Sequence, residues 1–415
     1  MKKRENLFPE TIILHNPYPQ PDTYNSLSMP MYNTVAFEFE TAEQMESAFT
    51  GRSAEHAYSR ITNPTVQNFE NRVKAITGAL DVVAFNSGMA AICNTIIALA
   101  YSGANIVTSP HLFGNTFSFF NSTLREFGVE PRFCDLTSEE DVRNNIDENT
   151  CAVFLEIITN PQLEVVDLKK LSAICIEKEV PLIADTTIVP FTVFHAKDFG
   201  VNIEIVSSTK YISGGATSIG GLSIDYGIFD WTKSKKLAEF ARGFGHNSFT
   251  AKMRKEIHRN LGSYMTPQTA YMQSLGLETL QVRFEKATSN ARKVVDGMKA
   301  FKGVKSVNYT ALPDNKFYDI SKLQFGDSPG AMFTFDLESR EACFKFLNNL
   351  RLVKRSTNLF DNKTLAIHPA STIYGTFDEP TRVKMNVRQT TVRISVGLEN
   401  YRDILHDFHQ ALEEK

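Results

Sequence analysis

Short apolar runs, each followed by small or polar residues and then by an amphipathic stretch, set the rhythm of this chain. Between about residues 66 and 265 such runs fall at 82–85, 105–108, 151–155, 181–184, 203–206 and 220–224, with helical patterns between them. Strands alternating with helices predict an α/β domain built on a largely parallel sheet. From residue 266 to 415 helices mix with strands near 331–336 and 391–396, which predicts a smaller α/β C-terminal domain. Residues 1–65 are polar and loop-rich, and they suit an arm that crosses to a neighbouring subunit. No internal repeat or low-complexity segment interrupts this pattern.

With 415 residues, 42% of them hydrophobic, the chain is long enough to bury a large core. Its 44 basic and 47 acidic residues leave a net charge of −3, which argues against nucleic acid or an anionic membrane as partner. Five cysteines, at 93, 134, 151, 175 and 343, are scattered without a Cys-x-x-Cys pair. Disulfides and a zinc site are therefore not expected. The nine histidines form no His-Glu-x-x-His, and His258 reads as a surface helix residue. No metal site is expected. Met1-Lys2-Lys3-Arg4-Glu5 lacks an apolar signal core and no run reaches transmembrane length, so a cytoplasmic location is the expectation.

The candidate chemistry centres on Ile203-Glu204-Ile205-Val206-Ser207-Ser208-Thr209-Lys210-Tyr211-Ile212-Ser213-Gly214-Gly215. A lysine delivered by an apolar strand loses hydration, so its ammonium is disfavoured and the free amine becomes a nucleophile. Ser207 and Thr209 place hydroxyls beside it that suit a phosphate. A phosphate-bearing aldehyde held to lysine as a Schiff base is pyridoxal 5′-phosphate (PLP). Alone the segment is a modest signal, because most strand-end lysines are solvated. Asp185, at the end of the run Val180–Asp185, adds a carboxylate able to pair with a protonated pyridine nitrogen, although a helix cap is the commoner use of such an aspartate. Ser87, Gly88 and Met89 follow another buried strand and open a helix whose first N–H groups favour an anion.

Seven motifs then occur in order from about residue 10 to the C-terminus. They are Tyr58-Ser59-Arg60-Ile61-Thr62-Asn63-Pro64-Thr65, Ser87-Gly88-Met89-Ala90-Ala91, Glu156 through Asn160-Pro161, Asp185-Thr186-Thr187, Ser208-Thr209-Lys210-Tyr211, His368-Pro369-Ala370-Ser371 and Arg393–Glu399. Together they resemble the Cys/Met-metabolism PLP-dependent enzymes. The resemblance implies the type I, aspartate aminotransferase-like fold and a homo-oligomer, a dimer or a dimer of dimers, with shared active sites. It implies that Lys210 carries PLP, that Asp185 holds the ring nitrogen with Thr187 behind it, and that Asn160 bonds the ring hydroxyl. Ser87, Gly88, Met89, Ser207 and Thr209 would then surround the phosphate, which Tyr58 and Arg60 reach from the neighbouring subunit. Arg393 would clamp the substrate α-carboxylate, with Thr364, Asn160 and Tyr58 also facing substrate.

Several positions depart from the family pattern. The aromatic that stacks on PLP is Phe113 rather than Tyr, in His111-Leu112-Phe113-Gly114-Asn115-Thr116; it keeps the ring face and loses the phenol. Asn115 stands where a methionine γ-lyase carries Cys, Thr364 where Ser is frequent, and Tyr374 where a His commonly follows Pro-Ala-Ser. The stretches Gly227-Ile228-Phe229-Asp230-Trp231 and Gly276–Arg283 resemble the O-acetylhomoserine sulfhydrylase branch. That branch implies γ-replacement: an O-acetylhomoserine loses acetate, and sulfide or methanethiol adds at Cγ to give homocysteine or methionine. Methionine or cystathionine γ-lyase and cystathionine γ-synthase share the cofactor residues and remain alternatives. A non-catalytic protein on the same fold fits poorly with Lys210, Asp185, Asn160 and Arg393 all being present.

Overall fold

In this computed structural model, which describes residues 7–15 and 22–413, seven strands build the larger sheet. They are β1 (Asp81–Phe85), β2 (Asn105–Thr108), β3 (Glu130–Phe133), β4 (Thr150–Glu156), β5 (Leu182–Asp185), β6 (Ile203–Val206) and β7 (Gly221–Asp225). Their order across the sheet is β1-β7-β6-β5-β4-β2-β3. The pairs from β6 to β3 are parallel, while β7 runs antiparallel to both β6 and β1. The sheet is thus largely parallel, as the pattern predicts, with one strand reversed. The cause is local. Residues 207–220 hold only the 3₁₀ turn Tyr211–Ser213, and without a crossover helix the chain returns antiparallel. Strand β3 escapes the sequence pattern because Glu130-Pro131-Arg132-Phe133 has no apolar run. It lies at the sheet edge, where a proline costs no ladder hydrogen bond on its open side.

Successive side chains of the central strands face opposite cores. Val82, Ala84, Val153, Leu155, Leu182 and Ala184 enter one. Val83, Phe85, Ala152, Phe154, Ile183, Ile203 and Ile205 enter the other. The first core continues without a break into a second sheet through Phe333, Phe335, Val392 and Ile394. That sheet comprises β8 (Ser306–Asn308), β9 (Met332–Asp336), β10 (Lys354–Arg355), β11 (Leu365–Ile367) and β12 (Thr391–Ser395), in the order β10-β11-β12-β9-β8. The helices Arg340–Asn349 and Tyr401–Glu413 pack on it, with Phe346 set against Phe335 and Phe408. The continuous core is what brings Arg393 of β12 to the mouth of the larger sheet.

The N-terminal segment pairs with its own chain at a few points. The Asn63 amide donates to the Tyr32 carbonyl, and Ile13 of the helix Pro9–His15 is buried. Yet Phe8, Tyr24, Leu27, Val35, Met45 and Phe49 stand exposed. One surface assignment is overturned. His258 is buried, its ring edge-on to Phe85 at 5.3 Å, and burial pulls it down to about 4, so it is neutral. The π-helical turn Met253–Ile257 just before it inserts an extra residue and re-aims the helix face inward. Among the described residues no helix is long and apolar enough to cross a membrane, and no cluster of potential metal ligands forms.

Phe154 sits at the centre of the second core, fully buried and edge-on to Phe120 at 5.2 Å. Phe154→Ala is expected to destabilise the fold by roughly 3–5 kcal/mol, seen as a lowered urea midpoint. An unchanged midpoint would mean that the sheet repacks around the loss.

Candidate active site

Six strands point the same way, so the chain leaves β1, β4, β5 and β6 at one edge of the sheet. Ligands of open α/β sheets sit at that carboxyl edge. There, Ser87 caps the helix Gly88–Leu99, its Oγ accepting the Ala90 N–H at 3.0 Å. Its carbonyl takes the Ala91 N–H at 3.1 Å. The first two N–H groups of the helix, on Gly88 and Met89, are left to face an anion. The approach is tight: a Cβ on Gly88 would stand 2.7 Å from Ser207 Cβ, and one on Gly221 2.2 Å from the Ser87 carbonyl oxygen. Only glycine allows these two loops to close around a small anion. The Ser207 N–H donates to Thr187 Oγ1 at 2.8 Å. The Thr209 hydroxyl is already committed, donating to the Gly220 carbonyl at 3.1 Å and accepting the Gly220 N–H at 3.0 Å.

Asp185 terminates β5 and accepts the Thr187 N–H at 3.0 Å. Burial raises its carboxyl above the ordinary range, while bonds from Thr187 and the charge of Lys210 oppose the rise. Lys210 follows β6, and its Nζ donates to Asn358 Oδ1 at 2.9 Å. Burial, and then the Arg393 guanidinium, pull this amine down to about 8, with Asp185 acting the other way. Arg393 is 1% exposed. Its Nη1 donates to Asn160 Oδ1 at 3.3 Å, and its Nη2 to the carbonyls of Thr357 at 3.1 Å and Asn358 at 3.2 Å. Its buried Nε has no partner. A desolvated guanidinium with a spare donor is prepared for an incoming carboxylate.

Phe113 enters from the β2 side, where its N–H donates to Glu156 Oε1 at 2.6 Å. The Glu156 carboxyl also takes the Asn160 N–H; burial, and then the charge of Asp185, push it up to about 8. Tyr374 braces the same two loops from behind. Its phenol lies 2.6 Å from the Asn160 carbonyl and 2.9 Å from that of Leu112. Under the floor, Glu204 of β6 bonds the hydroxyls of Thr186 and Tyr226, and burial pushes it up to about 7.

The structure therefore brings Ser87, Gly88, Met89, Phe113, Asn160, Asp185, Thr187, Ser207, Thr209, Lys210 and Arg393 to one edge. Tyr58 and Arg60 make their contacts elsewhere. The Arg60 guanidinium is 5.5 Å from the Tyr58 ring centre and donates to the Arg259 carbonyl at 2.6 Å. Thr364 corrects its expected role as a substrate contact. It is wholly buried, donating to Glu399 at 2.8 Å and accepting the Gly397 N–H at 3.0 Å, so its hydroxyl ties β11 to the end of β12. Asn358, Glu204 and the bracing role of Tyr374 were missed. Tyr374 stood out only as a departure from pattern, and Asn358 lies in a turn without any periodic signal.

A lysine amine of lowered basicity, a buried carboxyl across from it and an N–H-lined cradle fit pyridoxal 5′-phosphate. Fold and site together define a type I PLP-dependent enzyme. The chain belongs to the Cys/Met metabolism PLP-dependent enzyme family, whose model matches residues 10–413. It is 32% identical to the O-acetyl-L-homoserine sulfhydrylase of Corynebacterium glutamicum, over 92% of this chain and 91% of that relative. It is 35% identical to the L-methionine gamma-lyase of Fusobacterium nucleatum subsp. nucleatum, over 94% of each chain. Among solved structures, a putative O-acetylhomoserine (thiol)-lyase from Campylobacter jejuni subsp. jejuni superposes with a TM-score of 0.94 at 31% identity. The match covers 98% of this chain and 100% of that one, which carries N′-pyridoxyl-lysine-5′-monophosphate.

Glu156 offers a test of the clamp by pH. Its carboxyl ionises near 4.5 when unfolded but only near 8 when folded. As pH rises through that window the unfolded chain loses a proton that the folded chain keeps, so this group costs stability progressively. Glu156→Gln keeps an acceptor for the Phe113 N–H and removes the titration. Its stability relative to wild type should climb between these two pH values in urea titrations; a difference that does not vary with pH contradicts the assignment.

Proposed function

We propose that this protein is a PLP-dependent transferase performing γ-replacement on O-acetyl-L-homoserine, with sulfide or methanethiol as nucleophile. The products are homocysteine or methionine, and acetate. Arg393, with Asn160 beside it, holds the substrate carboxylate and sets Cα next to the Lys210 amine. PLP, when bound, supplies an electron sink whose ring nitrogen Asp185 keeps protonated. With a basicity near neutral pH, the Lys210 amine takes the Cα proton, then carries a proton off Cβ as acetate leaves Cγ, and returns protons to Cβ and Cα once the thiol has added at Cγ. Gly88, Met89 and Ser207 hold the phosphate, and Phe113 covers the ring face.

The observation that carries this reading is Phe113. A carboxylate such as acetate is a weak base and departs without a proton, whereas expelling a thiolate benefits from an acid. At the position where a tyrosine would offer its phenol, this chain places a bare ring. The relatives supply a sulfhydrylase and a gamma-lyase at similar identity, so the local chemistry of Phe113 decides between them here. A γ-lyase remains the second reading because of that relative.

In the same proposal the chain is a cytoplasmic homo-oligomer of dimers. Tyr58 and Arg60, whose guanidinium turns to the Arg259 carbonyl in its own chain, reach the phosphate of a neighbour. The exposed apolar side chains of the arm support that arrangement.

Purified PLP-loaded enzyme given O-acetyl-L-homoserine should form homocysteine only when sulfide is present, with little 2-oxobutyrate. Rapid 2-oxobutyrate without a thiol would make elimination the reaction and overturn the proposal. Lys210→Ala should lose both the absorbance of the lysine-bound cofactor and essentially all turnover; normal turnover would refute the role of Lys210.

A further inference from the structure

The turn between β10 and β11 meets both the Lys210 amine and the Arg393 guanidinium. Asn358 accepts from Lys210 Nζ through its side-chain oxygen, at 2.9 Å. The main-chain carbonyls of Thr357 and Asn358 accept from Arg393 Nη2. This turn is in turn fastened to the segment that carries the lysine. Phe360 is buried and adopts φ = +55°, a left-handed conformation that an aromatic residue keeps only when its surroundings dictate it. Its N–H donates to Ser395 Oγ at 2.7 Å. Its ring stacks on Tyr211, the residue after Lys210, with centres 4.3 Å apart and planes 11° from parallel. Asn362 then donates to the Gly214 carbonyl at 2.9 Å. The amide of Asn358 and the backbone of Lys210 therefore form one rigid body.

From this geometry we infer that Asn358 is a positioning residue for Lys210, holding the amine whenever it is not bonded to the cofactor. The inference rests on the proton-carrying role of Lys210 proposed above. A lysine side chain has four rotatable bonds, and once free it must find Cα and then Cβ of the substrate within one turnover. A fixed acceptor removes most of that search. An amide suits the task better than a carboxylate. It orients the N–H groups without adding a negative charge, and a negative charge would fasten a proton on the amine and spoil the base. Because Arg393 is met by main-chain carbonyls, altering the Asn358 side chain leaves carboxylate recognition in place.

Two variants test this. Asn358→Ala is expected to lower kcat by about tenfold or more while the KM for O-acetyl-L-homoserine stays within about twofold, a split that general loosening of the site would not give. Asn358→Asp, of the same size, is expected to move the acidic limb of kcat, which reports the substrate-bound enzyme in which the amine is free, to higher pH. In the full chain freed of PLP, the pH midpoint for acylation of Lys210, followed by peptide mass spectrometry, should move up in the same variant. The labelling needs no substrate, so it separates this inference from the assigned reaction. A shifted midpoint without sulfhydrylase turnover would leave Asn358 in place and remove the proposed function. An unshifted midpoint in Asn358→Asp, or a fall confined to KM in Asn358→Ala, overturns the role of Asn358.

Discussion

The removal of water from the amine of Lys210 is the constraint on which the rest of the site depends. An ammonium taken from water into a protein interior is costly unless a full counter-charge meets it. Here Asp185 acts in favour of the charge, but burial and the Arg393 guanidinium outweigh it. Neither sheet makes this environment alone. The larger sheet delivers Lys210 and Asp185 from the ends of β6 and β5, and the smaller sheet delivers Arg393 from β12. The apolar core that runs unbroken between the two sheets is therefore part of the chemistry. It fixes the distance between a lysine that the proposed reaction needs neutral and an arginine that it needs charged.

Around this centre the backbone is held by buried polar groups that do not touch the reacting atoms. Glu156 gathers the N–H groups of Phe113 and Asn160, and Tyr374 meets the carbonyls of Leu112 and Asn160. The two loops are thus tied from both sides, one by a carboxyl and one by a phenol. Burial and the neighbouring Asp185 push Glu156 up, so at neutral pH it is held largely as the acid. This spares Asp185, the proposed partner of the ring nitrogen, a second full negative charge nearby. The phenol absent from Phe113 is not replaced by that of Tyr374, which is wholly buried and aimed at backbone oxygens. That separation is why the proposed reaction gives the proton work to Lys210.

Much of this was legible in the sequence where the signal is local. A buried strand followed by Ser-Gly-Met, or by Ser-Ser-Thr-Lys, states both a fold position and a chemistry, because the strand end and its functional residue are covalent neighbours. Signals that depend on tertiary pairing were not legible. Asn358 gains its role only when β11 and β12 pair and Phe360 stacks on Tyr211. Thr364 looked available for substrate because nothing nearby in sequence names Glu399 as its partner. The inward turn of His258 follows from one π-helical turn, which periodicity at 3.6 residues does not reveal. The reversed β7 follows from a missing helix, legible in hindsight from the loop but masked by an apolar run like the others.

The most direct test of the account concerns the amine itself. The chain freed of PLP would be exposed to an acylating reagent over a range of pH, and modification of Lys210 followed by peptide mass spectrometry. The account predicts a midpoint near pH 8, well below the ordinary lysine value of 10.5. A midpoint near the ordinary value would show that the amine remains hydrated and charged, and would contradict the physical basis proposed for the site.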